Sequence, residues 1–128
     1  MFFVTCHFGG LLAFAPRPVW AAWLAVKGSK LLALFAGHAL CDFPWQGQFL
    51  SDAKNLRSPI SGVPWQLALF AHVSIHAGMV LWLTGSLWMA LAELVIHALT
   101  DYTKSLDRIS FTMDQAIHYA CKVLWAVL

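Results

Sequence analysis

Four pairs of side chains recur at one spacing: His38 and Asp42, His72 and His76, His97 and Asp101, and Asp114 and His118 each lie four residues apart. On a helix that spacing puts both members of a pair on one face. Imidazole and carboxylate are natural ligands of divalent cations, so the chemistry these residues could do together is to bind zinc, manganese or iron, as one ion or two. The stretch LAELVIHALTDYTK, residues 91–104, carries the pattern furthest. It has no Gly or Pro, and it sets Glu93, His97, Asp101 and Lys104 at spacings of four, four and three. In hydrocarbon each such group costs roughly 2.5 kcal/mol or more unless it finds a partner. The partners must come from other segments.

The elements that position these residues are read from composition. The 128-residue chain is 60% hydrophobic and 11% charged, against about 25% charged in an average globular protein. No alternating ten-residue pattern suggests a barrel, so the expected fold is all-α, an integral membrane bundle of about four transmembrane helices. A net charge of +2 is too small to argue for nucleic acid as a partner. The implied partner is membrane lipid, together with a second copy of the chain or another membrane protein. Seven Trp fit interfacial belts or packing. Cys6, Cys41 and Cys121 are odd in number and far apart, which argues against a disulfide framework and for small apolar fillers. Cys41 and Cys121 each follow a histidine by three residues, which keeps a thiol ligand open.

Residues 1–29 read as an apolar leader, interfacial or half inserted, because Gly9, Gly10 and Pro16-Arg17-Pro18 interrupt them and no basic segment precedes the apolar run. His7 there has no chelating neighbour. Residues 30–128 form the expected membrane domain. Its first helix runs from Lys30 to about Leu50 with a kink at Pro44. A polar loop follows from Ser51 to Gly62, then a helix from Val63 to about Leu83. After the turn Thr84-Gly85-Ser86, a third helix covers Leu87 to Ser105, and a fourth begins with Ser110 or Thr112 as N-cap. Lys54 and Arg57, with Lys104 and Arg108, place the first and third loops in the cytoplasm. Lys27 and Lys30 argue the other way. The expected location is a bacterial inner membrane, crossed several times.

Counted from the cytoplasmic helix ends, the four pairs lie roughly 12 to 18, 12 to 18, 8 to 14 and 6 to 12 Å along their helices at 1.5 Å per residue. The depths overlap, so an antiparallel bundle would bring all eight side chains to one interior point. A lone intramembrane His or Asp is often only an interhelical hydrogen-bond device. Four pairs at one depth favour a metal site. Glu93, one turn before His97, reads as a hydrogen-bond partner of a ligand, as do Gln46 and Gln115.

The set His38, Asp42, Phe43 and Gln46, then Lys54, His72 and His76, then His97, Asp101 and Lys104, and finally Asp114, Gln115 and His118 resembles the signature of the DUF3307 family over about residues 31–128. The resemblance implies a small membrane protein of bacterial or bacteriophage origin and no assigned activity. Through its intramembrane His and Asp pairs the chain is more loosely similar to proteins described as membrane-bound metal-dependent hydrolases.

The leading expectation is a metal-dependent hydrolase of a lipid or other amphiphilic ester or phosphoester, with Asp42, Asp101 and Asp114 as ligands or, for one of them, the general base. Lys54 and Lys104 would hold an anionic head group, although lysines flanking a span also snorkel. Two other readings stay open: a metal or proton carrier or sensor, and a structural membrane component whose His/Asp network only stabilises the bundle.

Overall fold

The structure, a computed structural model, describes residues 19–128. The expectations for Cys6, His7 and most of the leader lie outside the described residues. Five helices follow in order: α1 Val19–Asp42, α2 Gly47–Ala53, α3 Trp65–Thr84, α4 Leu87–Ser105 and α5 Phe111–Val127. No strand occurs among the described residues. The helices α1, α3, α4 and α5 close a ring, in which α1 and α4 each pack against both α3 and α5. The short α2 lies against α3.

The last three helices fall where their cap signals put them. Gly85 takes φ 69° and donates its N–H to Leu81 O at 2.8 Å, ending α3. Ser86 and Ser110 accept from Met89 N and Met113 N and start α4 and α5.

The first helix departs from expectation at both ends. It begins at least eleven residues before Lys30, because the polar run at Lys27 and Ser29 satisfies itself within the bundle. Ser29 Oγ bonds Val26 O at 2.9 Å, and Lys27 Nζ bonds Val127 O at 3.0 Å, where a cation also suits the α5 C-terminus. At the other end Pro44 stops the helix instead of kinking it. Leu40 O would ordinarily accept from residue 44, which has no N–H, and it accepts from Trp45 N at 3.0 Å instead. Gly47 at φ 59° then turns the chain into α2, so the expected loop begins only after Ala53.

Gly37 sets how closely α1 approaches α3. A Cβ there would stand 2.8 Å from Met79 Cγ, so the missing side chain lets the helices meet one residue before His38.

The distribution of polarity is inverted. Among the described residues as many buried side chains are polar or charged as apolar, and the largest that is fully buried is Lys122. The apolar cluster of Leu34, Val80, Trp125 and Ala126 fills the bundle beyond the polar residues, while Trp82 and Trp88 are 78% and 80% exposed. Two helices, α1 and α3, are long and apolar enough to cross a membrane. Both α4 and α5 carry charges, and Glu93, Asp101, Asp114 and Lys122 are buried between helices.

Candidate metal centre

Each helix of the ring delivers one pair at one end of the bundle: His38 and Asp42 from the last turns of α1, His72 and His76 from α3, His97 and Asp101 from α4, and Asp114 and His118 from the start of α5. The five histidines of these pairs are almost wholly buried. The overlap in depth expected from residue counting is therefore realised.

Asp42 Oδ1 lies 3.1 Å from His76 Nε2, 3.4 Å from His72 Nε2 and 3.9 Å from His97 Nε2, and the last two nitrogens are 3.2 Å apart. Ligands about 2.1 Å from a tetrahedral ion stand roughly 3.4 Å from one another, so these spacings are those of a coordination shell. A second group adjoins it. Asp101 Oδ1 is 3.5 Å from His118 Nε2 and 3.8 Å from His97 Nε2. The sets Asp42, His72, His76, His97 and His97, Asp101, His118 could each hold a metal ion.

Two of the eight expected ligands stand beside these groups. His38 backs His76, Nδ1 to Nδ1 at 3.4 Å, and its Nε2 lies 3.4 Å from Asp42 Oδ2. It can orient ligands on two sides. Asp114 places Oδ1 3.5 Å from His118 Nε2.

Of the three residues expected to support ligands, two hydrogen-bond to expected ligand residues. Glu93 Oε1 accepts from His97 Nδ1 at 3.2 Å, which directs Nε2 into the centre. Gln115 Nε2 donates to Asp42 Oδ2 at 2.8 Å and to Asp114 Oδ2 at 3.3 Å. Gln46 does not reach a ligand, since its buried Oε1 has no hydrogen-bond partner. Lys54 and Lys104 are engaged inward, with Nζ on Asp101 Oδ2 and Asp114 Oδ2 respectively. Cys41 is buried in neither ligand group, and Cys121 packs on the apolar cluster, so both act as fillers.

Lys122 and Trp125 were missed by sequence reasoning. Lys122 Nζ pairs with Glu93 Oε1, and Trp125 Nε1 donates to Glu93 Oε2 at 2.7 Å. The signal for Lys122 was present, because it continues the four-residue stripe of Asp114 and His118.

The centre has a mouth. A cavity of about 420 Å³, lined by Asp42, Gln46, Lys54, Asp101, Lys104, Asp114 and Gln115 among others, leads from it. A neighbouring cavity of about 390 Å³ shares Ser51, Lys54, Asp101 and Lys104 and adds Arg57, Ser58, Ser105 and Asp107. The carboxylates face the opening and the histidines lie behind them.

A family model described as "Protein of unknown function (DUF3307)" matches residues 31–128. No curated protein and no solved structure matches the chain.

Proposed function

The chain belongs to the DUF3307 family, and from the geometry of its centre we propose a multi-pass membrane protein that binds a divalent metal and hydrolyses a lipid or another amphiphilic ester. One observation carries the reading. The ligand nitrogens His76 Nε2 and His118 Nε2 are buried and, although carboxylate oxygens stand 3.1 and 3.5 Å from them, make no hydrogen bond. A buried polar atom left so costs about 1–3 kcal/mol, and a cation bound among these atoms removes that cost. The donors, imidazole and carboxylate without thiolate, suit zinc, manganese or iron.

The inverted polarity supports four spans, because an exterior rich in Trp, Leu and Phe needs lipid around it. Exposed Trp82 and Trp88 mark one interface, with Trp45 and Tyr102 towards the other. Lys54, Arg57, Lys104 and Arg108 cluster at the mouth end, which faces the cytoplasm in this reading. A helical bundle belongs in a bacterial inner membrane rather than an outer one.

A bound ion lowers the pKa of water towards about 7 and polarises the ester oxygen. The remaining work falls to the protein. Asp114, which lines the cleft with a free Oδ1, accepts a proton from the attacking water. The water oxygen bonds to the ester's acyl carbon or phosphorus. The bond to the alcohol oxygen breaks, and that oxygen keeps the electron pair and takes a proton from Asp114. One water is consumed, and one acid and one alcohol are released. A carrier would need access from both ends, and the cluster of Leu34, Val80, Trp125 and Ala126 blocks the far end.

Metal analysis of detergent-purified protein, beside His97→Ala and Asp101→Asn, tests the reading. We expect bound metal in the wild type, its loss in the variants, and product release from lipid esters by the loaded protein. A metal-free wild type of full stability would overturn the proposal. Uptake of metal into sealed vesicles without hydrolysis would replace it with a carrier, and loss of folding alone on chelation with a structural ion.

A further inference from the structure

We propose that the centre holds two ions joined by Asp101 and is thereby built for a phosphate ester. The inference rests on the metal-binding reading above and goes beyond it in ion number and substrate class. A single imidazole nitrogen serves one ion, yet His97 Nε2 stands in both ligand groups. Two ions side by side therefore need a connecting group with two donor atoms. Asp101 has two: Oδ2, which also accepts from Lys54 Nζ, lies 3.4 Å from His72 Nε2, and Oδ1 lies 3.5 Å from His118 Nε2.

Assigned to the second group, His97 leaves Asp42, His72 and His76 in the first, with Asp101 Oδ2, 3.4 Å from His72 Nε2, as the donor that would take its place. His97, His118 and Asp101 Oδ1 make a set of three, which leaves coordination positions open, as a catalytic ion requires. Each set contains a buried nitrogen without a hydrogen bond, His76 Nε2 in the first and His118 Nε2 in the second. The unmet demand is thus split between the two places, and one ion cannot answer both.

Paired ions suit displacement at phosphorus, since they stabilise the attacking and the leaving oxygen together. The mouth points the same way. Lys54, Lys104 and the hydroxyl of Ser51 line it, and the neighbouring cavity adds Ser58, Ser105 and Arg57, the last paired with Asp107. Two divalent ions answering Asp42, Asp101 and Asp114 leave that opening with surplus positive charge. A phosphate bearing two negative charges uses both the ions and this rim, whereas a neutral carboxylic ester uses neither fully. Hydrolysis follows the course above with phosphorus as the centre attacked: water supplies the new P–O bond, and the alcohol leaves with the electron pair and a proton.

The test loads full-length protein in detergent with manganese or cobalt. We expect two ions per chain and an electron paramagnetic resonance spectrum of exchange-coupled ions. His118→Ala should keep one ion and lose the coupling, and His76→Ala should likewise give an uncoupled spectrum. Inorganic phosphate should perturb the wild-type spectrum, and Lys104→Gln should weaken its binding roughly tenfold, as loss of a charge-assisted hydrogen bond does. A long-chain alkyl phosphate in micelles that binds more tightly than inorganic phosphate identifies the source as a lipid, and equal affinity identifies a soluble phosphoester. One uncoupled ion per chain in the wild type, or two ions indifferent to phosphate, would overturn this inference while leaving the metal-dependent hydrolase standing. No ion at all would remove both.

Discussion

Two polar regions, centred about two turns apart on α4 at Glu93 and Asp101, solve the same problem differently inside one bundle. Around Glu93, every charge is answered within the protein: Lys122 and His97 Nδ1 meet Oε1, and Trp125 meets Oε2. Around Asp42 and Asp101, the same residue types leave buried nitrogens and an oxygen unmet and face a cleft. The first region is a closed account of charge, and the second is an incomplete one that a cation completes. Burial of ionisable groups alone does not mark a site; burial with unmet demand and access does.

The largest effect should come from breaking the closed region. Lys122→Met leaves the Glu93 carboxylate buried without its cation, and loss of one partner of such a pair costs about 3–5 kcal/mol. Denaturant titration in detergent should show most of the fold's stability gone, and Glu93→Leu on top of Lys122→Met should recover much of it. The open region should respond to ligand instead. Metal at a thousandfold excess over its dissociation constant should stabilise the wild type by about 4 kcal/mol, read as a shift in Tm that chelation reverses. Asp42→Asn should reduce that shift. If Asp42→Asn behaved like Lys122→Met and metal changed nothing, the contrast between the regions would vanish.

A smaller change sharpens the contrast from the closed side. Trp125→Phe removes the donor to Glu93 Oε2 and should cost about 1–3 kcal/mol, and by loosening the carboxylate that directs His97 it should weaken metal binding by roughly 10-fold or more. The smallest effect belongs to the exposed pair of Arg57 and Asp107. Arg57→Ala should leave thermal stability unchanged.

Much of this was legible in the sequence where a residue's own chemistry dictates its place. The four-residue spacing put His and Asp on inward faces, and the turn Thr84-Gly85-Ser86 and the hydroxyl of Ser110 marked helix ends. The start of α1 was not legible, because Lys27, Gly28, Ser29 and Lys30 look like a boundary until Val127 O is seen to accept from Lys27. Lys54 read as a free head-group contact for a related reason. Its partner, Asp101, is forty-seven positions away and is reached only because of how the chain turns after α1. His38 and Asp114 were expected among the metal ligands, and the structure sets them beside the two ligand groups. Their standing beside the two ligand groups depends on side-chain placement within a helical turn, which spacing does not resolve.

That turn returns to a single missing hydrogen. Were residue 44 able to donate to Leu40 O, α1 would run on, and Lys54 would sit about 18 Å beyond Asp42 at 1.5 Å per residue, out of reach of any carboxylate in the bundle. The imino ring folds the chain back like a hem, so that an ammonium from outside the ring of helices is sewn into its lining. The electrical character of the entrance is in this way written by a residue that bears no charge.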